Sequence, residues 1–402
     1  GKLISSDLIG PVTLRTGLKA ELGKTKSARI DSLFIDRLNL NNYDYTGIKA
    51  SGALSENMFN GTIIASDPNL NFILQGGFAL SAKTNNARYK FYANVSDANL
   101  NAINIDKRGK SRLRFQTNAN FTKTNDGNIL GNIDIADLIF ENRDSTSHIG
   151  NINLTSHSND DVYKIRLRSQ FADGSYTGTA PVTQFVKDIQ NVTLRKETPA
   201  LFDDPEFTWS GNSYTFDFNS HDSMSLLSFI MPGMYIHSGT TISLSIDAEE
   251  DMNLSLNSKR IALGADYIKD VSAVFGNQNN MFSGGFSAKE LQFAGLSLYN
   301  NTLQLLADDN HVGASYSYDN QSDMENRGEL VINADLSREN GRLDVDFNIL
   351  PSMLYLNSRE WKIQPSLISL KGKDINVDSF EILGEDQRIY ASGSTSMTQK
   401  DT

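Results

Sequence analysis

Period-two alternation of apolar and polar residues recurs almost from one end of this chain to the other, and it leaves little room for anything but strands. In "SRLRFQTNANFT" (111–122), Leu113, Phe115, Thr117, Ala119 and Phe121 share one parity, while Arg112, Arg114, Gln116, Asn118 and Asn120 share the other. The same rhythm runs through Tyr89/Phe91/Ala93/Val95, Tyr163/Ile165/Leu167, Tyr214/Phe216/Phe218 and Ile242/Leu244/Ile246. It returns at Val312/Ala314/Tyr316/Tyr318, Leu330/Ile332/Ala334/Leu336 and Leu343/Val345/Phe347/Ile349. Successive side chains of a strand point to opposite faces, so each of these strands has one apolar face and one wet face. Turn clusters separate the runs: "TNDGN" (124–128), "SHSNDD" (156–161), "FADGS" (171–175), "GNQNN" (276–280) and "SRENG" (337–341). Turn signals roughly 8–12 residues apart predict an antiparallel meander, and hence an all-β fold.

Two stretches break the rhythm. "TQFVKDIQNVTL" (183–194) sets Phe185, Ile189 and Val192 at helical spacing, and "DSMSLLSFIMPG" (222–233) reads as a short helix capped by Asp222 and stopped at Pro232-Gly233. Between them "ETPALFDDPEF" (197–207) is interrupted by proline and predicts irregular chain. A weaker break is expected at 348–368, where Pro351 and Pro365 bracket an apolar turn or short helix. The layout is therefore a first β segment over 1–182, a helical and irregular crossover over 183–235, and a second β segment over 236–402 with a minor break near 350–366.

What could cover so many apolar faces? Only 39% of the 402 residues are hydrophobic. Average globular domains reach about 45–50%, a figure that also counts glycine, so burial here is expected to be shallow or one-sided. A sandwich, in which two sheets cover each other, is the ordinary home of half-buried strands. An outer-membrane barrel is disfavoured by the crossovers and the sparse aromatic residues. The net charge of −11 argues against nucleic acid and against docking to an anionic membrane through a basic patch. The absence of cysteine removes disulfides, thiolate chemistry and Cys-based zinc sites. No apolar run approaches the ~20 residues that span a bilayer. The abrupt start at Gly1-Lys2 and the end in "STSMTQKDT" (394–402) read as those of a segment cut from a longer protein.

Catalytic patterns are not found. The histidines His148, His157, His221, His237 and His311 lack metal-ligand spacing, and only His148 and His157 offer a weak pairing across a hairpin. The acidic groups Asp203-Asp204, Glu249-Glu250-Asp251, Asp308-Asp309 and Asp344/Asp346 read as solvated turns and a wet strand face rather than as a glycosidase pair. Trp209, Trp361 and Tyr316/Tyr318 would suit a sugar platform, but core burial explains single aromatic residues equally well. The expectation is a protein that is not an enzyme and takes no cofactor or metal.

Three stretches carry a resemblance. "YDYTGIKASGALSENMFNGTIIASDPNLNFILQGGFAL" (43–80) contains Phe59/Gly61, Asp67-Pro68-Asn69-Leu70 and Leu74/Gly76 in the order of strands that end in f-x-G around a D-P-N-L turn. "LLSFIMPGMYIHSGTTISLSID" (226–247) sets a short helix ending in Pro-Gly before a strand opening with Ser-Gly-Thr. "SREWKIQPSLISLKGKDINVDSFEILGEDQRIYASGSTS" (358–396) has W-x-I-x-P, an I-x-V strand and a closing Q-x-I-x-x-x-G strand. Together they resemble the TamB/AsmA-like envelope family, particularly its versions in Bacteroidetes. The resemblance implies a long curled antiparallel sheet, a β-taco or repeating β-groove with short helical crossovers. It also implies a periplasmic place, an inner-membrane anchor outside this segment, phospholipid as cargo, and an Omp85-class outer-membrane barrel as partner through other regions.

On that reading the groove lining is Leu113, Phe115, Phe121, Ile165, Leu167, Phe216, Phe218, Ile242, Leu244, Ile246, Val345 and Phe347. The alternative is a non-catalytic β-sandwich that binds a glycan or a protein on the cell envelope.

Overall fold

The computed structural model describes residues 9–22, 26–55, 58–79, 87–125, 128–143, 145–159, 161–204, 206, 208–277 and 281–396. Parts of the expected turns at 124–128, 156–161 and 276–280, and the outermost residues at both ends, lie outside them. The chain is all-β, 69% strand and 7% helix, and its 27 strands among the described residues form antiparallel ladders. It divides into two compact units, Gly1–Gly174 with Asp222–Pro232, and Ser175–His221 with Gly233–Thr402.

The first unit is a meander. Its strands are β1 (Ile9–Leu22), β2 (Lys26–Leu40), β3 (Tyr43–Tyr45), β4 (Ile48–Ser55), β5 (Met58–Asp67) and β6 (Leu70–Ala79). They continue as β7 (Ala87–Asn99), β8 (Arg112–Lys123), β9 (Ile129–Glu141), β10 (Thr146–Asn159) and β11 (Val162–Ser169). Strand β12 (Ala172–Gly178) crosses the unit boundary and absorbs most of the expected 171–175 turn, which tightens to the residues just before it.

Asp67 sets the β5–β6 turn. Its carboxylate accepts the Tyr43 hydroxyl at 2.6 Å and the amides of Thr46 and Asn69 at 2.8 Å. Burial works to raise its pKa, but these bonds outweigh it and hold the carboxyl below its ordinary value.

The second unit opens with β13 (Tyr214–Ser220), β14 (Met234–Ile236), β15 (Thr241–Ile246), β16 (Met252–Leu263) and β17 (Asp266–Gly276). Next come β18 (Phe282–Phe293), β19 (Leu296–Asp308), β20 (His311–Asp319), β21 (Arg327–Glu339) and β22 (Arg342–Ile349). It closes with β23 (Ser352–Leu356), β24 (Arg359–Ile363), β25 (Ser366–Lys371), β26 (Asp374–Leu383) and β27 (Arg388–Ser396). Asn340-Gly341, with φ of 52° and 78°, makes the two-residue β21–β22 turn that "SRENG" announces.

The prolines near 350 act differently from expectation. β22 and β23 both run antiparallel to β21, and β24 and β25 both face β26. Pro351 and Pro365 therefore interrupt two long strands, and between them stands the β23–β24 hairpin with its tight, polar Asn357-Ser358 turn (φ 53° and 60°) in place of an apolar turn or short helix. Lacking an N–H, proline breaks the ladder where it stands while the chain keeps its direction.

The non-strand stretches behave as the helical spacing predicts. Helix α1 (Val182–Gln190) continues through one π-type turn (Asn191–Arg195) and a short 3₁₀ turn (Pro199–Leu201). Helix α2 (Met224–Ile230) belongs to the first unit, where the Phe229 ring lies 4.5 Å from Phe140 and Ser228 hydrogen-bonds Ser147 at 2.7 Å. Its N-cap is Ser223 and not Asp222, whose carboxylate takes only the Met224 amide at 3.4 Å.

Candidate functional site

Paired residues of an antiparallel ladder project from the same face, so the register shows which side chains share a surface. In the first unit one rung runs Gly52–Gly61–Gly76–Phe91–Ala119–Ile133–Leu154–Leu167 across β4 to β11. Beside it run Ala50–Ile63–Leu74–Ala93–Thr117–Ile135–Ile152 and Tyr89–Phe121–Gly131–Ser156–Ile165. Leu113, Phe115, Phe121, Ile165 and Leu167 all fall on this one face.

The second unit repeats the arrangement. Phe218–Ile242–Leu256–Ala273–Phe286–Leu303–Tyr316–Leu330 forms one rung from β13 to β21. Phe216–Leu244–Leu254–Phe275–Gly284–Leu305–Ala314–Ile332 forms the next, and Val345 and Phe347 extend the face through Leu336 and Ala334. The sequence-predicted residues of each unit are thus brought together on a single apolar face. Sequence reasoning did not single out Phe275, Phe286, Leu303 or Leu305 for it. Their alternation is visible, but Leu306 beside Leu305 and the paired Gly284-Gly285 blur it.

These faces are incompletely covered. Leu244, Ile246 and Val345 are buried, while Leu113, Phe115, Phe121, Ile165, Leu167, Phe216, Phe218 and Ile242 are only half-buried and Phe347 keeps 37% of its surface exposed. The ring contacts agree. Tyr89 stacks on Phe121 at 4.7 Å and Phe275 on Phe282 at 6.0 Å, both between neighbouring strands. Among the described residues every ring pair lies along one strand and its flanking turn, between neighbouring strand segments, or between a strand and a helix. None joins two facing sheet layers.

The opposite face is wet, as the parity of Arg112 and Arg114 predicts. Arg112 pairs with Asp97 at 3.0 Å, Arg114 pairs with Glu141, and Arg342 pairs with Asp344 at 2.8 Å. Such exposed pairs contribute little to stability.

Within the second unit the stretch 182–204 acts as a strap along one end of the strands. Phe185 packs at 5.1 Å from Tyr214 and 6.3 Å from Phe216, so it covers the apolar face at β13. Asp188, 1% exposed, accepts Tyr214 Oη at 2.6 Å and Ser210, Gln184 and Asn212 at 2.8, 2.8 and 3.2 Å. Burial works to raise the Asp188 pKa, but these donors outweigh it and hold the carboxyl below its ordinary value. Burial first, and then the hydrogen bond to Asp188, pushes the Tyr214 phenol up. Farther along, Lys196 pairs with Glu250 of the β15–β16 turn, and Glu197 O accepts the Asn310 amide of the β19–β20 turn at 2.7 Å. Arg338 near the β21–β22 turn donates to Ala200 O at 2.8 Å and pairs with Asp203 at 2.7 Å. Three hairpin turns are thereby tied to one strap.

Glu197 is the strained member of this strap. It is 3% exposed, and its Oε1 has no partner among the described residues. Burial pushes its pKa up to about 6, with Asp308 and Glu250 adding to the rise and Lys196 opposing it. A folded-state value above the unfolded one means that stability is present at low pH and lost as pH rises through about 6. The wild-type second unit should lose about 2 kcal/mol between pH 4 and 7.5 through this group. Glu197→Gln should flatten that slope in urea titrations, and a slope unchanged in the variant would refute the assignment.

Other expected groups do not converge. His148 and His157 both lie on β10, nine residues and about 30 Å apart along one strand, so no hairpin brings them together. His311 pairs with Asp335, Trp209 donates to Ala248 O at 2.8 Å, and Trp361 lies over Gly384. Tyr316 Oη donates to Asn301 at 2.5 Å, and burial pushes its phenol up to about 12. Among the described residues no His, Asp or Glu cluster has metal-ligand grouping, and no helix is long and apolar enough to cross a membrane. The chain matches no protein-family model, no curated protein and no solved structure.

Proposed function

We propose that the apolar faces line a conduit for lipid acyl chains, and that this chain is a non-catalytic segment of a periplasmic lipid-transfer groove like that of the TamB/AsmA-like proteins it resembles. The observation that carries the reading is the pair of unbroken apolar rungs in the second unit, half-open from β13 to β21. A closed sandwich core would bury such residues fully and would pair rings across layers. Each methylene of an acyl chain moved from water onto this face contributes about 0.8 kcal/mol. The contacts are non-directional and repeat every ~4.8 Å from strand to strand, so no rung holds the cargo more tightly than the next. That suits movement along the face better than storage at a point. Phospholipid is the cargo on this reading, and an Omp85-class barrel engages regions beyond this segment.

The test is direct. The purified chain should release phospholipid on organic extraction, and Leu303→Arg together with Phe286→Arg should reduce the amount at least tenfold while the wet-face pair Ser243→Arg and Ser255→Arg leaves it unchanged. Extracts free of lipid, or equal loss from both double variants, would refute the reading.

A further inference from the structure

The wet face of the second unit carries a feature that lipid transfer leaves unused. Over β17 to β21 its rungs are Ser272–Ser287–Thr302–Ser317, Val274–Gly285–Gln304–Ser315–Val331 and Ser283–Leu306–Gly313–Asn333. Gly285 and Gly313 remove two side chains from the middle of this patch, and a shallow depression of about 710 Å³ opens over them. None of its lining residues is charged, in a chain of which 21% is charged. Ionic groups stand only at its margin, where Glu329 accepts from Ser315 at 3.1 Å and His311 pairs with Asp335 on the rung beyond Gly313 and Asn333.

Soluble surfaces are ordinarily studded with charges. A face kept free of them can lose its water without stranding an ion. The side chains of Ser283, Ser287, Thr302, Gln304 and Asn333 make no hydrogen bond among the described residues, so their donors and acceptors stand ready for a ligand. Between them Val274, 60% exposed, with Leu306 and Val331 offers an apolar strip. A corresponding depression of about 560 Å³ on the wet face of the first unit is lined by Asn60, Gln75, Tyr92, Asn118 and Asn120, with Lys90 its single charge.

Which ligand has this chemistry? Nucleic acid needs cations that the patch lacks. Acyl chains gain nothing from free hydroxyls and amides. A sugar ring presents both a rim of hydroxyls and a C–H face, and so matches amides beside an apolar strip. The geometry points to a neutral oligosaccharide bound in the β17–β21 depression, lying along the rungs and across the strands, with Gln304 and Asn333 hydrogen-bonding its hydroxyls and Val274 and Leu306 under its C–H faces. This site is on the opposite face from the lipid-lining residues and is independent of that reading.

Gly313 provides the test. Its φ is not positive, and a Cβ there would meet only Asn333 Oδ1 at 3.4 Å, so Gly313→Val fills the floor without straining the strand. Maltohexaose, cellohexaose and chitohexaose would be titrated calorimetrically into the wild-type chain, Gly313→Val and Gln304→Ala, with sedimentation run in parallel. At least one sugar should bind the wild type at millimolar concentration or below, and each variant should weaken it at least tenfold. The proposal is overturned if none of the three binds, if both folded variants bind like the wild type, or if sedimentation shows that the patch pairs two copies of the chain and Gly313→Val separates them. Lipid extraction from the same samples reads the other face, so failure of one reading leaves the other standing.

Discussion

Gly76→Val is expected to destabilise the first unit by about 3 kcal/mol or more, enough to lower its urea midpoint markedly. Gly76 has a φ of +132°, a region that side chains with a Cβ rarely enter, and a Cβ there would lie 2.2 Å from Lys90 O and 2.7 Å from Phe91 Cα. Both atoms are backbone of the neighbouring strand and cannot swing aside. The residue stands on the apolar face in the rung with Phe91 and Ala119, where its missing side chain lets β6 and β7 approach closely. Hydrogen exchange should show the loss concentrated in β5 to β8. Gly313→Val, where a Cβ would meet only the side-chain Oδ1 of Asn333 at 3.4 Å, is the control and should stay within about 0.5 kcal/mol. Equal destabilisation by the two variants would contradict the assignment.

Asp188→Ala should release the strap at a cost of about 3 kcal/mol. The carboxylate gathers four side-chain donors, and its removal leaves the Tyr214 hydroxyl buried without its acceptor. Because the Asp188 pKa is held below its ordinary value, this support is present above pH ~4 and lost as pH falls below it. That is the opposite sign to Glu197. The second unit is therefore expected to be most stable in the interval between them, near pH 4–5, as far as the strap decides it. In a Trp361→Phe background the fluorescence of Trp209, which is anchored on Ala248 O, should report the release. An unchanged emission spectrum and an unchanged urea midpoint would show that the strap does not depend on Asp188.

How much of this was written in the sequence follows from the range of the interactions. Strand periodicity is local, so the alternations at 111–122, 163–167, 214–218, 242–246 and 343–349 already put the residues expected to line a groove on one face of their strands. The helical spacing of Phe185, Ile189 and Val192 likewise announced α1. What stayed hidden depends on partners far away in sequence. Nothing around Pro351 or Pro365 says that the flanking residues rejoin β21 and β26, because a local reading sees proline as an end and not as a gap in a ladder. Asp188 and Glu197 look like ordinary surface carboxylates of a short helix until Tyr214, Asp308 and Glu250 are brought to them. The charge-free patch over β17 to β21 is invisible for the same reason: its serines and glycines are scattered through five strands and meet only through the register.

On the proposed reading lipid runs along the apolar faces and not the wet ones, and parity gives a sharp test. A photo-reactive side chain would be placed singly at Phe115, Phe218 and Phe286, and at Arg114 and Asp217 on the opposite parity, with phospholipid adducts scored in intact cells. Adducts are expected at all three apolar positions and none at Arg114 or Asp217. Adducts confined to the wet positions, or equally frequent on both parities, would contradict it.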